Sequence, residues 1–128
     1  MTENQIGNAI VGAAIEVHKQ LGPGLLETTY EIALMHELSE RGLSVKRQVP
    51  VAIHYRGIRL EEGFRADMIV AEKVMLELKS LESINDIHKK QLLTYLKLTG
   101  IKLGYLMNFG ESLMKKGITR IVNGLEEN

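Results

Sequence analysis

The sequence predicts an α/β fold of the α+β type, in which a mixed β-sheet is flanked by helices, and a single domain over residues 1–128. Apolar residues recur at helical spacing in the N-terminal third, and they alternate with polar residues in the middle of the chain, as in strands. A third helical segment then separates two apolar strands, so it is expected to cross between them. A chain of 128 residues is long enough to enclose a hydrophobic core.

The composition is ordinary for a soluble protein and excludes several kinds of site. Cysteine is absent, which rules out a disulfide framework and a thiolate metal site or nucleophile. Lys and Arg total 16, as do Asp and Glu, so a nucleic-acid partner would have to be bound by a local surface and not by net charge. No apolar run reaches membrane-spanning length and the N-terminus lacks a signal-peptide layout, so a cytoplasmic protein without membrane attachment is expected.

Two helices are predicted first. Thr2 and Gln5 form a capping-box pattern that opens the first helix, and the Leu-Gly-Pro-Gly run at 21–24 ends it. The second helix is expected to end near Gly42. Glu27 lies in its first turn, where the helix dipole favours an acid, and this is a sufficient structural reason for an acid there.

The later elements are mostly strands. Residues 45–60 are predicted to form strands with a turn near 56–57, and Pro50 indicates an edge strand or a bulge. Ser83 is the predicted N-cap of a third helix, and Gly100 its predicted C-terminal glycine. Two further strands are expected at 102–109 and 117–122.

A predicted β-hairpin over 64–80 carries the functional interpretation. The alternating apolar residues of its two arms are all even-numbered and are predicted to share one face: Phe64, Ala66, Met68, Val70, Val74, Leu76 and Leu78. A turn centred on Glu72 then places Asp67 directly across from Glu77, with Cβ atoms roughly 5 Å apart. Lys79 is expected on the same face as the two acids.

Two carboxylates held this close repel each other unless a cation or a shared proton relieves them. Mg²⁺ is often held by one or two carboxylates, with water and substrate phosphate completing its shell. Lys79 could then stabilise charge on a phosphate or orient a water. The alternative is a surface ion pair of Lys79 with Asp67 or Glu77 on the wet face of an antiparallel sheet, and the hairpin alone leaves both readings open.

The third helix carries a polar stripe. His88, Gln91 and Tyr95 are spaced so that they share one side of that helix. The stripe can face a cleft, or it can be a solvated or interfacial helix face.

Five short segments, taken in order, carry a resemblance to a known family. They are Gly24-Leu25-Leu26-Glu27-Thr28-Thr29-Tyr30, Arg65-Ala66-Asp67, Glu77-Leu78-Lys79, His88 with Gln91 to Tyr95, and Asn108-Phe109-Gly110. The chain is similar to the GxxExxY proteins over roughly residues 18–122, and that family resembles the PD-(D/E)XK phosphodiesterase superfamily. The resemblance implies a restriction-endonuclease-like core.

The resemblance also implies roles for individual residues. Asp67 and Glu77 would bind a metal, Mg²⁺ or Mn²⁺, and Lys79 would be the catalytic lysine. Glu27 would complete the metal shell, and Gln91 would be the polar catalytic residue of the helix after the core. Candidate accessory residues are Tyr30, His88, Tyr95 and His18, with structural roles expected for the two histidines.

The function expected from this site is metal-dependent hydrolysis of nucleic acid, either DNA or RNA. Ala66 stands where the family motif has proline, and since proline carries no ligand the implied chemistry is unchanged. A non-catalytic interaction module that retains the nuclease fold is the alternative, and a purely structural salt-bridge network is a third reading. The sequence leaves homodimer formation open.

Overall fold

The computed structural model describes residues 1–126, and its elements follow the predicted order with one short helix in addition. The helices are α1 (Glu3–Leu21), α2 (Glu27–Glu40), α3 (Asp86–Thr99) and α4 (Met114–Gly117). The strands are β1 (Val45–Tyr55), β2 (Ile58–Val70), β3 (Val74–Lys79), β4 (Leu103–Asn108) and β5 (Ile118–Val122). None of these helices is long and apolar enough to cross a bilayer.

The five strands form one mixed sheet in the order β1-β2-β3-β4-β5. Only β3 and β4 are parallel, and α3 connects them, as expected for a helix that crosses between parallel strands. The other neighbouring strands are antiparallel. The predicted α+β fold with a mixed sheet flanked by helices is therefore confirmed.

The helix ends show why the capping predictions succeed or fail. Thr2 accepts a hydrogen bond from the Gln5 N–H and returns one to the Gln5 side chain, so the predicted capping box opens α1. Gly100 ends α3 in the left-handed conformation, as predicted. The prediction of Ser83 as the N-cap of α3 is wrong. Asn85 caps this helix instead, because its side chain accepts from the helix backbone while His88 accepts from the Asn85 N–H at 3.3 Å.

The C-terminal strand prediction also needs a correction. Gly117, expected to open the last strand, ends the short helix α4, and β5 begins at Ile118. A Cβ on Gly117 would lie against the backbone oxygen of Asn108, so the close approach of β4 requires a glycine there. One turn of helix has no periodicity of its own, so the sequence pattern does not reveal it.

Two hydrophobic cores cover the two faces of the sheet. The first core lies under α1 and α2 and includes Ile10, Tyr30, Leu34, Met68, Leu76, Leu78 and Met107. The second core lies under α3 and includes Ala66, Met75, Leu92, Leu96 and Leu106. Because β3 is central and contributes to both cores, it has no wet face of the kind that the surface ion-pair reading requires.

The hairpin turn lies where the alternation predicted it. Met68 is opposite Leu76 and Val70 is opposite Val74, which centres the turn on Glu72. Ala71 and Glu72 both have positive φ, 51° and 59°, as a tight turn between antiparallel strands requires. The register that sets Asp67 against Glu77 is therefore the observed one.

The prediction that the even-numbered apolar residues of the hairpin share a face is wrong for Phe64 and Ala66. Met68 and Val70 belong to the first core, whereas Ala66 belongs to the second core and Phe64 packs against it. The neighbouring strand β1 changes face at the same level. Its residue Gln48 has a left-handed φ of 50°, which interrupts the alternation of side chains along a strand.

Strand β1 is an edge strand, as Pro50 indicated. Its register against β2 shifts between Val51 and Ile53, and the turn to β2 lies at Arg56 and Gly57, the predicted position. Since β3 pairs only with residues 68–70 of β2, the remainder of the β1–β2 hairpin extends beyond the β2–β3 ladder as a two-stranded arm.

Candidate active site

Asp67 and Glu77 lie in contact where β2 and β3 separate. The backbone pairing of these strands ends at Met68 and Leu76, and side chains join the strands beyond that point. The Leu78 N–H donates to Asp67 Oδ2 at 2.8 Å, and the Asp67 N–H donates to Glu77 Oε1 at 3.4 Å. The two acids are thus held by the backbone of the opposite strand, which fixes their carboxylates beside each other.

The environment of Glu77 disfavours its charged form. Glu77 is buried on the central strand β3, with 9% of its surface exposed. Burial raises the pKa of Glu77 to about 9, and the negative charge of Asp67 adds to the effect, whereas Lys79 opposes it. Within residues 1–126 no ion pair joins Lys79 to either acid. The acid pair therefore keeps a proton at neutral pH in the absence of another cation.

This pKa predicts how the metal-free protein responds to pH. Glu77 holds its proton more tightly in the folded protein than in the unfolded chain, so its contribution to stability is complete below pH 4.5 and is lost as the pH rises through about 9. In Glu77→Gln this loss should disappear. At pH 8 the variant should melt higher than wild type by roughly 5 °C or more.

The measurement is a series of thermal melts between pH 5 and pH 9 in the presence of a chelator. Glu62→Gln, which changes an exposed acid on β2, serves as the control and should retain the wild-type slope. Equal slopes for wild type and Glu77→Gln would contradict the assignment of a raised pKa to Glu77.

The buried Asn108 fixes the chain that follows Lys79. These two residues are opposite each other on the parallel strands β3 and β4, and the Phe109 N–H donates to the Lys79 carbonyl at 2.8 Å. The Asn108 side chain accepts from the N–H groups of Leu81 and Gly110 and donates to the Leu81 carbonyl. A fully buried asparagine thus orders the end of the strand that presents the lysine.

The loop before α2 is also tied to the end of β3. The Ser80 hydroxyl donates to the Leu25 carbonyl at 2.6 Å. The Tyr30 hydroxyl donates to the Gly22 carbonyl and accepts from the Leu25 N–H at 3.0 Å. These contacts hold the loop that leads into Glu27 beside the residue after Lys79.

Glu27 itself is exposed at the first residue of α2. In the part of the chain that the structure describes, no group of three His, Cys, Asp or Glu side chains is arranged to hold a metal ion. The structure brings Asp67 and Glu77 together, and it does not bring Glu27 into direct contact range of a shared ion with them. The expected role of Glu27 in the metal shell stays a prediction.

Helix α3 presents its polar stripe to the acid pair through Tyr95. The Tyr95 ring stacks on Phe64 with a centroid distance of 3.8 Å. Burial raises the pKa of the Tyr95 hydroxyl, as do the charges of Glu77 and Asp67, while a hydrogen bond from Gln91 opposes the rise. Tyr95 therefore lies beside the acids on the α3 side of the site, and Gln91 is hydrogen-bonded to Tyr95.

A family profile described as the PD-(D/E)XK nuclease superfamily matches residues 4–121 of the chain. The chain belongs to this superfamily. No curated protein and no solved structure gives a significant match. The letters in the name of the PD-(D/E)XK nuclease superfamily fit Asp67, Glu77 and Lys79 of this sequence, with Ala66 in place of the proline.

Three other predicted site residues have contacts with residues other than Asp67 and Glu77. Tyr30 is fully buried, stacks on Phe109 at 4.4 Å and uses its hydroxyl in the loop before α2. His18 lies on α1 with its Nε2 atom 2.8 Å from the Glu111 carbonyl oxygen. His88 is the capping partner of Asn85. The contacts described for the two histidines are therefore with residues other than the acids, and their structural roles stay a prediction.

Sequence reasoning missed a second polar cluster beside the site of this PD-(D/E)XK chain. Glu31, one helical turn after Glu27, is 4% exposed and accepts hydrogen bonds from Arg47 Nε and Gln48 Nε2, each at 3.0 Å. A buried acid needs such partners. The only signal in the sequence is an acid on the apolar side of α2, which does not reveal its partners on β1.

Proposed function

We propose that this protein is a metal-dependent phosphodiesterase that hydrolyses nucleic acid. The observation that carries the proposal is the contact between the partly buried Asp67 and the buried Glu77. Burial, with the charge of Asp67 in addition, raises the pKa of Glu77 to about 9, and neither acid has an ion pair with Lys79 within residues 1–126. Membership of the PD-(D/E)XK nuclease superfamily supports the choice of reaction.

The acid pair is suited to a divalent cation such as Mg²⁺ or Mn²⁺. A cation would offset the burial and the repulsion that together retain a proton on the pair. Mg²⁺ requires only one or two carboxylates when water and phosphate complete its shell. When bound at such a site, the metal supplies Lewis acidity and lowers the pKa of a coordinated water. Glu27 would join the shell through water from the start of α2.

The chain's other polar groups are arranged to hold a phosphate. Lys79 is on the same face of β3 as Glu77 and is half-buried, so its ammonium group can stabilise negative charge on a phosphate that approaches the acids. Gln91 and the Tyr95 hydroxyl can donate hydrogen bonds to the backbone of a nucleic acid. Because the chain has no net charge, these local groups would carry the recognition.

The test is cleavage by the purified protein of single- and double-stranded DNA and RNA with Mg²⁺, with Mn²⁺ or with a chelator. Thermal melts with and without each metal accompany the assay, since an ion that binds only the folded state raises the melting temperature. Metal-dependent cleavage of any of these substrates supports the proposal. Protein that neither cleaves them nor melts higher with metal would overturn it and leave the non-catalytic interaction module.

Lys79→Ala should separate catalysis from metal binding. Cleavage should fall by about 10²-fold or more, because the variant loses a cation at the reacting phosphate. The metal-induced rise in melting temperature should persist, because Lys79 is not a ligand. Lys97→Ala, on an exposed lysine of α3, is the matched control and should cleave like wild type. Equal cleavage by the two variants would exclude Lys79 from the reaction.

A further inference from the structure

Gln48 has an unusual backbone conformation in the middle of a strand. Its φ of 50° is in the left-handed region, which residues other than glycine rarely adopt. The register of β1 against β2 sets Arg47 opposite Met68 and Val49 opposite Ala66. Gln48 therefore lies opposite Asp67, and these two residues form no ladder pair of their own.

Side chains change face in β1 at Gln48. Arg47 and Gln48 are consecutive, yet both donate to Glu31 on α2, so both side chains point to the same side of the sheet. Val45 packs against the first core, whereas Val49 packs against the second. In a regular strand Val45 and Val49 would share a face, so the left-handed residue shifts the alternation by one position.

The same change occurs in β2 at Asp67. Met68 belongs to the first core and Ala66 to the second, so the alternation shifts between them. Phe64 consequently reaches α3 and stacks on Tyr95. Asp67 lies between these two residues, at the point of the shift, and its carboxylate accepts a hydrogen bond from the Leu78 N–H.

The contacts of Gln48 explain how the left-handed conformation is retained. Its Nε2 atom lies 3.0 Å and 3.1 Å from the two carboxylate oxygens of Glu31. Glu31 is buried, and Arg47 also bonds to it, so the carboxylate offers a fixed and charged acceptor. The amide is thus anchored to α2 on the side of the sheet away from α3.

We propose that Gln48 is a positioning residue for Asp67. Its left-handed backbone, anchored by Glu31, shifts the alternation of both strands and holds the Asp67 carboxylate against Glu77 and the Leu78 N–H. The consequence for metal binding rests on the proposed function, whereas the consequence for the Asp67–Leu78 hydrogen bond does not.

The test compares substitutions at two left-handed positions. Gln48→Val introduces a β-branched residue that strongly disfavours positive φ, whereas Gln48→Gly introduces a residue that adopts positive φ without strain. Arg56, in the turn of the β1–β2 hairpin, has a similar φ of 46°, so Arg56→Val is a matched control for backbone strain away from the acids. The first readout is the amide hydrogen exchange of Leu78 relative to Leu76 in metal-free protein, measured by NMR. The second is the Mn²⁺ affinity by calorimetry.

Gln48→Val should accelerate exchange at Leu78 relative to Leu76 and weaken Mn²⁺ binding by about tenfold or more. Arg56→Val should leave both quantities within about twofold of wild type, because its strain does not reach the acids. Gln48→Gly should recover most of the Mn²⁺ affinity. Glycine tolerates positive φ but does not restore the packing of the lost side chain. Recovery of the Mn²⁺ affinity in Gln48→Gly would therefore show that the backbone conformation, and not the packing, causes the effect.

The positioning role of Gln48 would be overturned if Gln48→Val and Arg56→Val showed the same amide exchange at Leu78 and the same Mn²⁺ affinity. Wild-type protein that fails to bind Mn²⁺, with Leu78 exchange still accelerated only by Gln48→Val, would overturn the proposed function and support the positioning role. If Gln48→Val does not fold, Gln48→Ala is compared with Arg56→Ala by the same two measurements, since alanine carries a smaller penalty at positive φ.

Discussion

Asp67→Ala is expected to abolish metal-dependent cleavage and the metal-induced rise in melting temperature. The substitution removes one of two carboxylates that would hold the ion, and a ligand stabilises only a state that binds it. It also removes the charge that contributes to the raised pKa of Glu77, so metal-free stability should not fall by the full cost of the lost contacts. Cleavage should drop below detection while the protein remains folded.

Asp67→Asn separates charge from hydrogen bonding. An asparagine side chain can still accept the Leu78 N–H, so this variant should be at least as stable as wild type without metal, and more stable than Asp67→Ala. Stabilising changes at functional sites commonly cost activity. Both variants should be inactive, and Glu62→Gln should behave like wild type. An Asp67→Asn protein that retains metal-dependent cleavage would contradict the role of Asp67 as a ligand.

Leu78→Ala is expected to cost roughly 2–5 kcal/mol of unfolding free energy, because a buried leucine leaves a cavity in a close-packed core. Leu78 is 1% exposed and lies in the first core, on the strand that carries Glu77 and Lys79. For a chain of this size the loss should lower the melting temperature by about 10 °C or more. Folding should still be cooperative, as for a small domain.

The control for Leu78→Ala is Leu98→Ala, which truncates a leucine that is 45% exposed on α3. Its unfolding free energy should change by less than about 1 kcal/mol. Urea titrations of both variants at one pH provide the comparison. Similar losses for the two leucines would show that the first core does not depend on Leu78.

The features of the fold that depend on residues close together in the sequence were predicted from the sequence pattern. The turn at Glu72 follows from alternation over a few residues on each side, and the structure has it there. The face change at Ala66 could not be predicted, because it depends on a left-handed Gln48 and nothing about a glutamine in a strand indicates positive φ. Asn and Ser have similar preferences for the N-cap position, so residue type alone does not distinguish Asn85 from Ser83. The hydrogen bond between Asn85 and His88 makes Asn85 the cap.

In the candidate site, too, the features that depend on local pattern were predicted and those that depend on distant elements were not. Register alone sets Asp67 against Glu77, so a single hairpin indicates the pair. The contacts of Glu31 and Asn108 were not predicted, because the partners of these residues lie on other elements. They depend on the packing of α2 on β1 and on the parallel pairing of β4 with β3. Only the family resemblance indicated Glu27 as a site residue. The alternation of residues in the hairpin does not determine how far Glu27 lies from the acids.

The irregular backbone of β1 has a consequence for self-association. An edge strand offers unpaired backbone groups to which another chain can add, and flat, regular edges are the usual starting points of aggregation. On β1 such addition is obstructed at three nearby places: the left-handed Gln48, Pro50 with no N–H to donate, and the register shift between Val51 and Ile53. The long strand beside the acids is therefore a poor template for a strand from a second copy, even at high protein concentration.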